Sequence, residues 1–253
     1  AGQFDLSVGS TAAFTGMLVA VAAAPIGVTK TDFAMGLPLE VAILIGIAGA
    51  LFIGLVNAVS VTVFRINALI TTLATLAIFR GLTKVLGNGQ TIIVDNFEAL
   101  GKVRLLGLPV PVYLLALVIV IFFLVLRYTI YGRSMYAIGA SPIAARLAGI
   151  RINQAVFIGF ILSSALAGLA GLILLSQLRA AAITASEGLE LAVVTAVVLG
   201  GASLSGGRGG IVGTVLAVLI VGVMRNGMTQ LGVQQFWIEV AQGAYTFDVG
   251  RGL

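Results

Sequence analysis

Few groups in this chain could do chemistry, because 60% of its 253 residues are hydrophobic and only 9% are charged. Asp5, Asn57, Arg80, Gln177, Glu190 and Arg225 nevertheless lie in or beside long apolar runs, together with hydroxyls at Thr71, Thr72 and Thr75. A charge or amide at membrane depth is costly and marks a pathway or a buried pair. Asp5, Asn57, Thr72, Thr75, Arg80 and Gln177 are therefore the candidates for a substrate pathway. Arg80 and Arg225 fit equally well as side chains snorkelling to an interface. Asn57 shares a stripe with Gly54 and Ala58 and reads first as a helix–helix hydrogen bond.

Catalysis has no obvious agents. The chain has no cysteine and no histidine, which removes disulfides, thiolate chemistry, imidazole acid–base catalysis and most zinc or copper sites. No cofactor or metal is expected. The stretch Leu204-Ser205-Gly206-Gly207-Arg208 mimics the signature loop of ABC ATPases, but it lies between apolar runs and no G-x-x-x-x-G-K-[ST] phosphate loop accompanies it. Its glycines, Gly200, Gly201, Gly206 and Gly207, instead read as a helix break.

The elements that position these residues must be membrane spans. A soluble domain is roughly 45–50% apolar and about 25% charged; this chain, with a mean hydropathy of +1.17, cannot hide its apolar surface from water. Charge-free runs of span length fall at 6–29, 41–64, 105–126 and 152–178. A run at 66–79 reaches span length if it continues through Arg80 and Lys84 to Asn88. Shorter runs at 191–207 and 209–224 flank the glycine break, and a last run starts near Phe236 and stops at Asp248. This predicts seven helices and the stub of an eighth.

Charge sets the orientation. Arg127, Arg133, Arg146 and Arg151 surround one connection without an acid among them, so that loop is expected in the cytoplasm. Asp95, Glu98, Lys102 and Arg104, and Arg179, Glu187 and Glu190, mark mixed loops outside; Arg65 then falls inside, and Asp32 and Glu40 outside. The net charge of +5 thus reports topology and not a nucleic-acid partner. Small residues repeat every fourth position at Gly46, Ala50, Gly54 and Ala58, at Ser163, Ala167 and Gly171, and at Gly209, Gly213 and Ala217, the spacing of close helix packing in lipid. Within the arginine loop, residues 135–147 predict one helix of about three turns, suited to lipid headgroups or to a groove on a soluble partner.

Four segments resemble the permeases of ribose-, xylose- and arabinose-type ABC importers: Asp5-Leu6-Ser7-Val8-Gly9-Ser10; residues 69–75 with Arg80-Gly81-Leu82; Gly132-Arg133 through Ala144-Ala145-Arg146-Leu147-Ala148-Gly149-Ile150; and the glycine-rich signature at 200–214. The resemblance implies an all-α polytopic transmembrane helix bundle with broken or short helices and a cytoplasmic coupling segment at 135–149. It further implies a second permease subunit, a cytoplasmic ATP-binding subunit docked at Ala144, Ala145, Arg146 and Gly149, and a periplasmic sugar-binding protein, all at the bacterial inner membrane.

The chain departs from that family at Ile143, where Glu is frequent, and at Asn67 and Ala68, where prolines are usual. The family is longer. Residues 1–253 are thus expected to form a single transmembrane domain lacking about two N-terminal spans and the end of its last helix. The start at Gln3-Phe4-Asp5, without Met or a basic leader, agrees with an origin inside a longer protein. An ion-driven secondary transporter would want midplane acids, of which only Asp5 and Glu190 qualify, and the 200–214 signature disfavours a branched-chain amino acid permease.

Overall fold

The computed structural model describes residues 1–27, 31–94, 97–234, 236–238, 240–241 and 243–244. Asp95, the end of the first predicted run at 28–29 and the end of the last at 245–248 lie outside the described residues. The chain divides into two compact units, one of residues 3–117 and 153–190, the other of residues 1–2, 118–152 and 191–253.

The first unit is built around α1 (Val8–Ala23), thirteen of whose sixteen residues are buried. Against it pack α2 (Leu39–Thr62) and α3 (Ala68–Leu86), and α7 (Ile152–Leu178) completes the bundle. The small-residue stripes form the seams. A Cβ on Gly46 would strike Val19 and Thr15 of α1, one on Gly171 would strike the Ala12 backbone, and one on Gly54 would come within 2.9 Å of Ser164 on α7. Met17, Val19, Val21, Leu172 and Leu175 fill the core between them, and Phe14 meets Phe79 edge to face at 5.0 Å. The hydroxyls that α1 buries return to its own backbone: Ser10 and Thr11 donate to the Ser7 carbonyl, and Thr15 donates to that of Thr11.

At one end of this unit, β1 (Ile92–Ile93) pairs antiparallel with β4 (Ala180–Ala181), joining the segments that follow α3 and α7. A second hairpin, β2 (Arg104–Leu105) with β3 (Leu108–Pro109), turns through Leu106 and Gly107, both at positive φ, as a two-residue I′ turn requires.

In the second unit, the end of α4 (Val110–Tyr128) leads into α5 (Ile130–Ala140) and α6 (Pro142–Leu147), and the body of α8 (Leu189–Leu199) precedes α9 (Ile211–Gln230). Helices α2, α3, α4, α7 and α9 are long and apolar enough to cross a membrane. None of the side chains of α4 is buried and only Ala217 of α9 is, so their apolar surfaces have bilayer or another chain as solvent. The fold is an all-α polytopic membrane bundle.

Two sequence expectations need correction. Among the described residues of the run at 6–29 the helix is Val8–Ala23, because Ala24 precedes Pro25 and takes an extended conformation. At sixteen residues, α1 is about 24 Å long, short of the roughly 30 Å hydrocarbon core. The expected single helix across 135–147 is two helices: Ser141, ahead of Pro142, is extended (φ −160°), and its Oγ accepts from the Ala144 N–H as the N-cap of α6.

Candidate functional site

A chain of polar side chains runs through the apolar interior of the first unit. Asp5, just before α1, accepts at one carboxylate oxygen from the Ser7 N–H at 2.9 Å and the Ser7 hydroxyl at 2.6 Å. Its other oxygen accepts from the Ser163 hydroxyl of α7 at 2.7 Å. Ser7 has donated its one proton, so its oxygen accepts from Asn57 Nδ2 of α2 at 2.9 Å. That bond orients the amide and leaves Asn57 Oδ1 to accept from Thr75 of α3 at 2.7 Å, the Thr75 hydroxyl also lying 2.9 Å from the Thr71 carbonyl. The direction of every bond thus follows from the carboxylate, and the chain links the lead-in of α1 to α2, α3 and α7. Thr72, also fully buried, donates to the Ala68 carbonyl at 2.9 Å and lies 3.3 Å from that of Phe4. In hydrocarbon the Asn57 amide would otherwise be an unmet donor and acceptor.

A second cluster centres on Arg80. Its guanidinium donates to the carbonyls of Ala185 (3.1 Å) and Ser186 (3.4 Å) and pairs with Glu190 at 3.5 Å. Both side chains are largely shielded, at 12% and 16% exposure, which favours a paired reading over free snorkelling. Gly9 makes the approach possible, since a Cβ there would collide with the Glu190 carboxylate. Three residues of the Asp5–Ser10 motif are thereby accounted for: Asp5 and Ser7 begin the polar chain, and Gly9 gives Glu190 room.

Of the six pathway candidates, Asp5, Asn57, Thr72 and Thr75 come together, and Arg80 forms its own cluster. Gln177 is exposed near the end of α7, beside Ser176, which takes the N–H groups of Leu100 and Gly101 and donates to the Phe97 carbonyl. Arg225 is exposed on α9. Ser7 and Ser163 escaped sequence reasoning as polar-site residues, because serine is also a small packing residue; the spacing Asp5-x-Ser7 was the one available signal. Thr71 and Ser164 bury hydroxyls that have no partner among the described residues.

In the second unit, α6 leaves most of its side chains exposed. Ala145 is buried, whereas Ile143, Ala144, Arg146 and Leu147 are exposed, Leu147 by 85%. Gly149 ends the helix at φ +80°, with Gly149 N–H on the Arg146 carbonyl and Ile150 N–H on that of Ala145, a Schellman closure. The helix break is equally concrete. Gly201 closes α8 at φ +85°, and a Cβ on Gly200 would lie 2.5 Å from the Thr214 nitrogen of α9. Gly206 and Gly207 follow at φ +90° and +78°, packed against the backbone at Gly139. Among the described residues no group of His, Cys, Asp and Glu side chains could hold a metal.

The family model described as the permease component of the branched-chain amino acid transport system matches residues 1–247. The ribose import permease of Bacillus subtilis (strain 168) is 40% identical over 96% of this chain and 73% of that relative. The ribose import permease of Escherichia coli (strain K12) is 40% identical over 92% and 71%. The L-arabinose transport system permease of the same strain is 38% identical over 96% and 71%. No solved structure matches the chain. With this agreement along nearly all of a multi-pass helical bundle, the chain belongs to the family of bacterial inner-membrane permeases that includes the ribose and arabinose permeases.

Proposed function

We propose that the protein is the membrane-spanning subunit of an ATP-driven importer and carries a monosaccharide or a similar small polyol. ATP is hydrolysed on a separate cytoplasmic subunit that docks on α6, a second permease subunit completes the pore, and a periplasmic binding protein delivers the solute. The sugar names of relatives at 38–40% identity support the cargo class more closely than the broader family description does. The polar chain from Asp5 to Thr75 is the structural observation that carries the reading. It places hydroxyl, amide and carboxylate groups inside an apolar bundle, and a rearrangement of the helices that opened this seam would offer them to sugar hydroxyls. Such exchanges have small net free energies, which suits a path that must bind weakly and release. Arg80 and Gln177 extend the set of candidate contacts.

In this mechanism α6 is a lever. It is short, capped at both ends by Ser141 and Gly149, and presents Ile143 and Leu147 one turn apart with Arg146 between them. Closure of the ATPase would displace it and rock the bundle between inward- and outward-open states. Nucleotide and loaded binding protein drive that exchange only by favouring different states.

Replacing Arg146 with Glu reverses charge at the docking helix without touching a span. In reconstituted transporter, sugar uptake and transporter-stimulated ATP hydrolysis should both fall at least tenfold, an estimate of about 1.4 kcal/mol or more for a reversed contact. Unchanged hydrolysis would show that the motor docks elsewhere.

A further inference from the structure

A groove of about 360 Å³ opens where the end of α4, the middle of α5 and the start of α9 meet, a volume at the low end of small-ligand sites. Phe123, Leu126, Ile211 and Val212 make it apolar, and Tyr136 and Arg127 supply its polar side chains. Tyr136 is committed: its hydroxyl donates to the Gly209 carbonyl at 2.9 Å. Arg127 is not. Its guanidinium is held 5.7 Å from the Phe123 ring and 5.8 Å from the Tyr128 ring. Among the described residues it has neither an ion-pair partner nor a hydrogen-bond acceptor. No acid occurs anywhere from Arg127 to Arg151. Arg127 is also the penultimate residue of a helix apolar enough to span a membrane, which puts its charge at headgroup level and the apolar wall towards hydrocarbon.

We propose that this groove binds an anionic phospholipid from the surrounding bilayer, with the phosphate on Arg127 and the first acyl methylenes against Phe123, Leu126, Ile211 and Val212. A planar guanidinium offers a fork of donors to phosphate oxygens, and the two rings hold it in place without using those donors. A zwitterionic headgroup would bring its own cation next to Arg127, so net negative charge is selected. The inference concerns a lipid site apart from the solute path and does not depend on which solute is carried.

The test is binding of phosphatidylglycerol and phosphatidylcholine to the assembled transporter, titrated by native mass spectrometry after delipidation. Phosphatidylglycerol should bind more tightly, and Arg127→Gln should weaken it by at least about fivefold. Arg151→Gln, the same charge change outside the groove, should leave binding unaltered. Val212→Trp should also lower it, by filling the apolar part while Arg127 remains. Equal binding of the two lipids, or full retention by Arg127→Gln, would overturn the proposal. Displacement by glycerol phosphate alone would make this a site for small anions. Lipid bound by the isolated permease but lost on assembly with its partner subunits would make the groove a protein interface; either result refutes the lipid site.

Discussion

Asn57→Leu would cut the polar chain at its midpoint, leaving the Thr75 hydroxyl without its side-chain acceptor and Ser7 without its donor. Hydrogen bonds between membrane helices are individually modest, about 0.6 kcal/mol on average and up to about 1.7; two lost bonds predict a destabilisation on the order of 1–3 kcal/mol. Thermal unfolding in detergent checks this, and Asn57→Gln, which keeps the amide, should lose less. Gly9→Ala is a second case. The added methyl would displace the Glu190 carboxylate and lie 2.9 Å from the Ser186 carbonyl, so the Arg80–Glu190 contact should weaken and transport should fall. Wild-type transport by Gly9→Ala would mean that transport does not depend on this placement of the Glu190 carboxylate. Asn57 was legible in the sequence as a helix–helix hydrogen bond because a lone amide deep in an apolar run must find a partner. Which partner was not legible: Ser7 lies fifty residues away, and only the packing of α1 against α2 brings the two together.

The four-residue stripe on α2 was legible as an element, because small residues at that spacing have few uses in lipid besides close packing. Gly54→Leu forces a side chain against Ser164 and the Ile161 backbone and should cost about 1–3 kcal/mol or more. Leu55→Ala, at an exposed position beside it, should change little. Equal assembly of the two variants in detergent would contradict the seam. The arginine-loop helix was read less well. Apolar and basic content suggested one helix through 135–147, whereas Ser141-Pro142 divides it, since a residue before proline avoids helical backbone. The same rule at Ala24-Pro25 shortens α1, and in both places hydropathy masked a local steric signal. Ser141→Ala should weaken α6 by about 0.5–2 kcal/mol, as loss of an N-cap does, and reduce ATPase coupling without preventing membrane insertion.

At the scale of the whole molecule, composition alone made the bilayer the solvent, and the order of the spans followed from it. Less legible were the contacts among segments distant in sequence, such as the β1–β4 pairing and the hold of Arg80 on the Ala185 and Ser186 carbonyls, because neither carries a periodic signal. The orientation expected from the arginines has a direct check. A cysteine at exposed Ala148, in a chain with none of its own, should resist an impermeant thiol reagent in intact cells and react once the membrane is opened.

The central claim, sugar import driven by ATP on a partner subunit, is tested most directly by uptake into proteoliposomes. These would contain the complete permease, its ATPase and enclosed ATP, with loaded sugar-binding protein outside. Labelled sugar should accumulate against its gradient, stop when ATP is withheld, and continue when ionophores collapse the ion gradients. Uptake that persists without ATP and disappears with the ionophores would contradict the account.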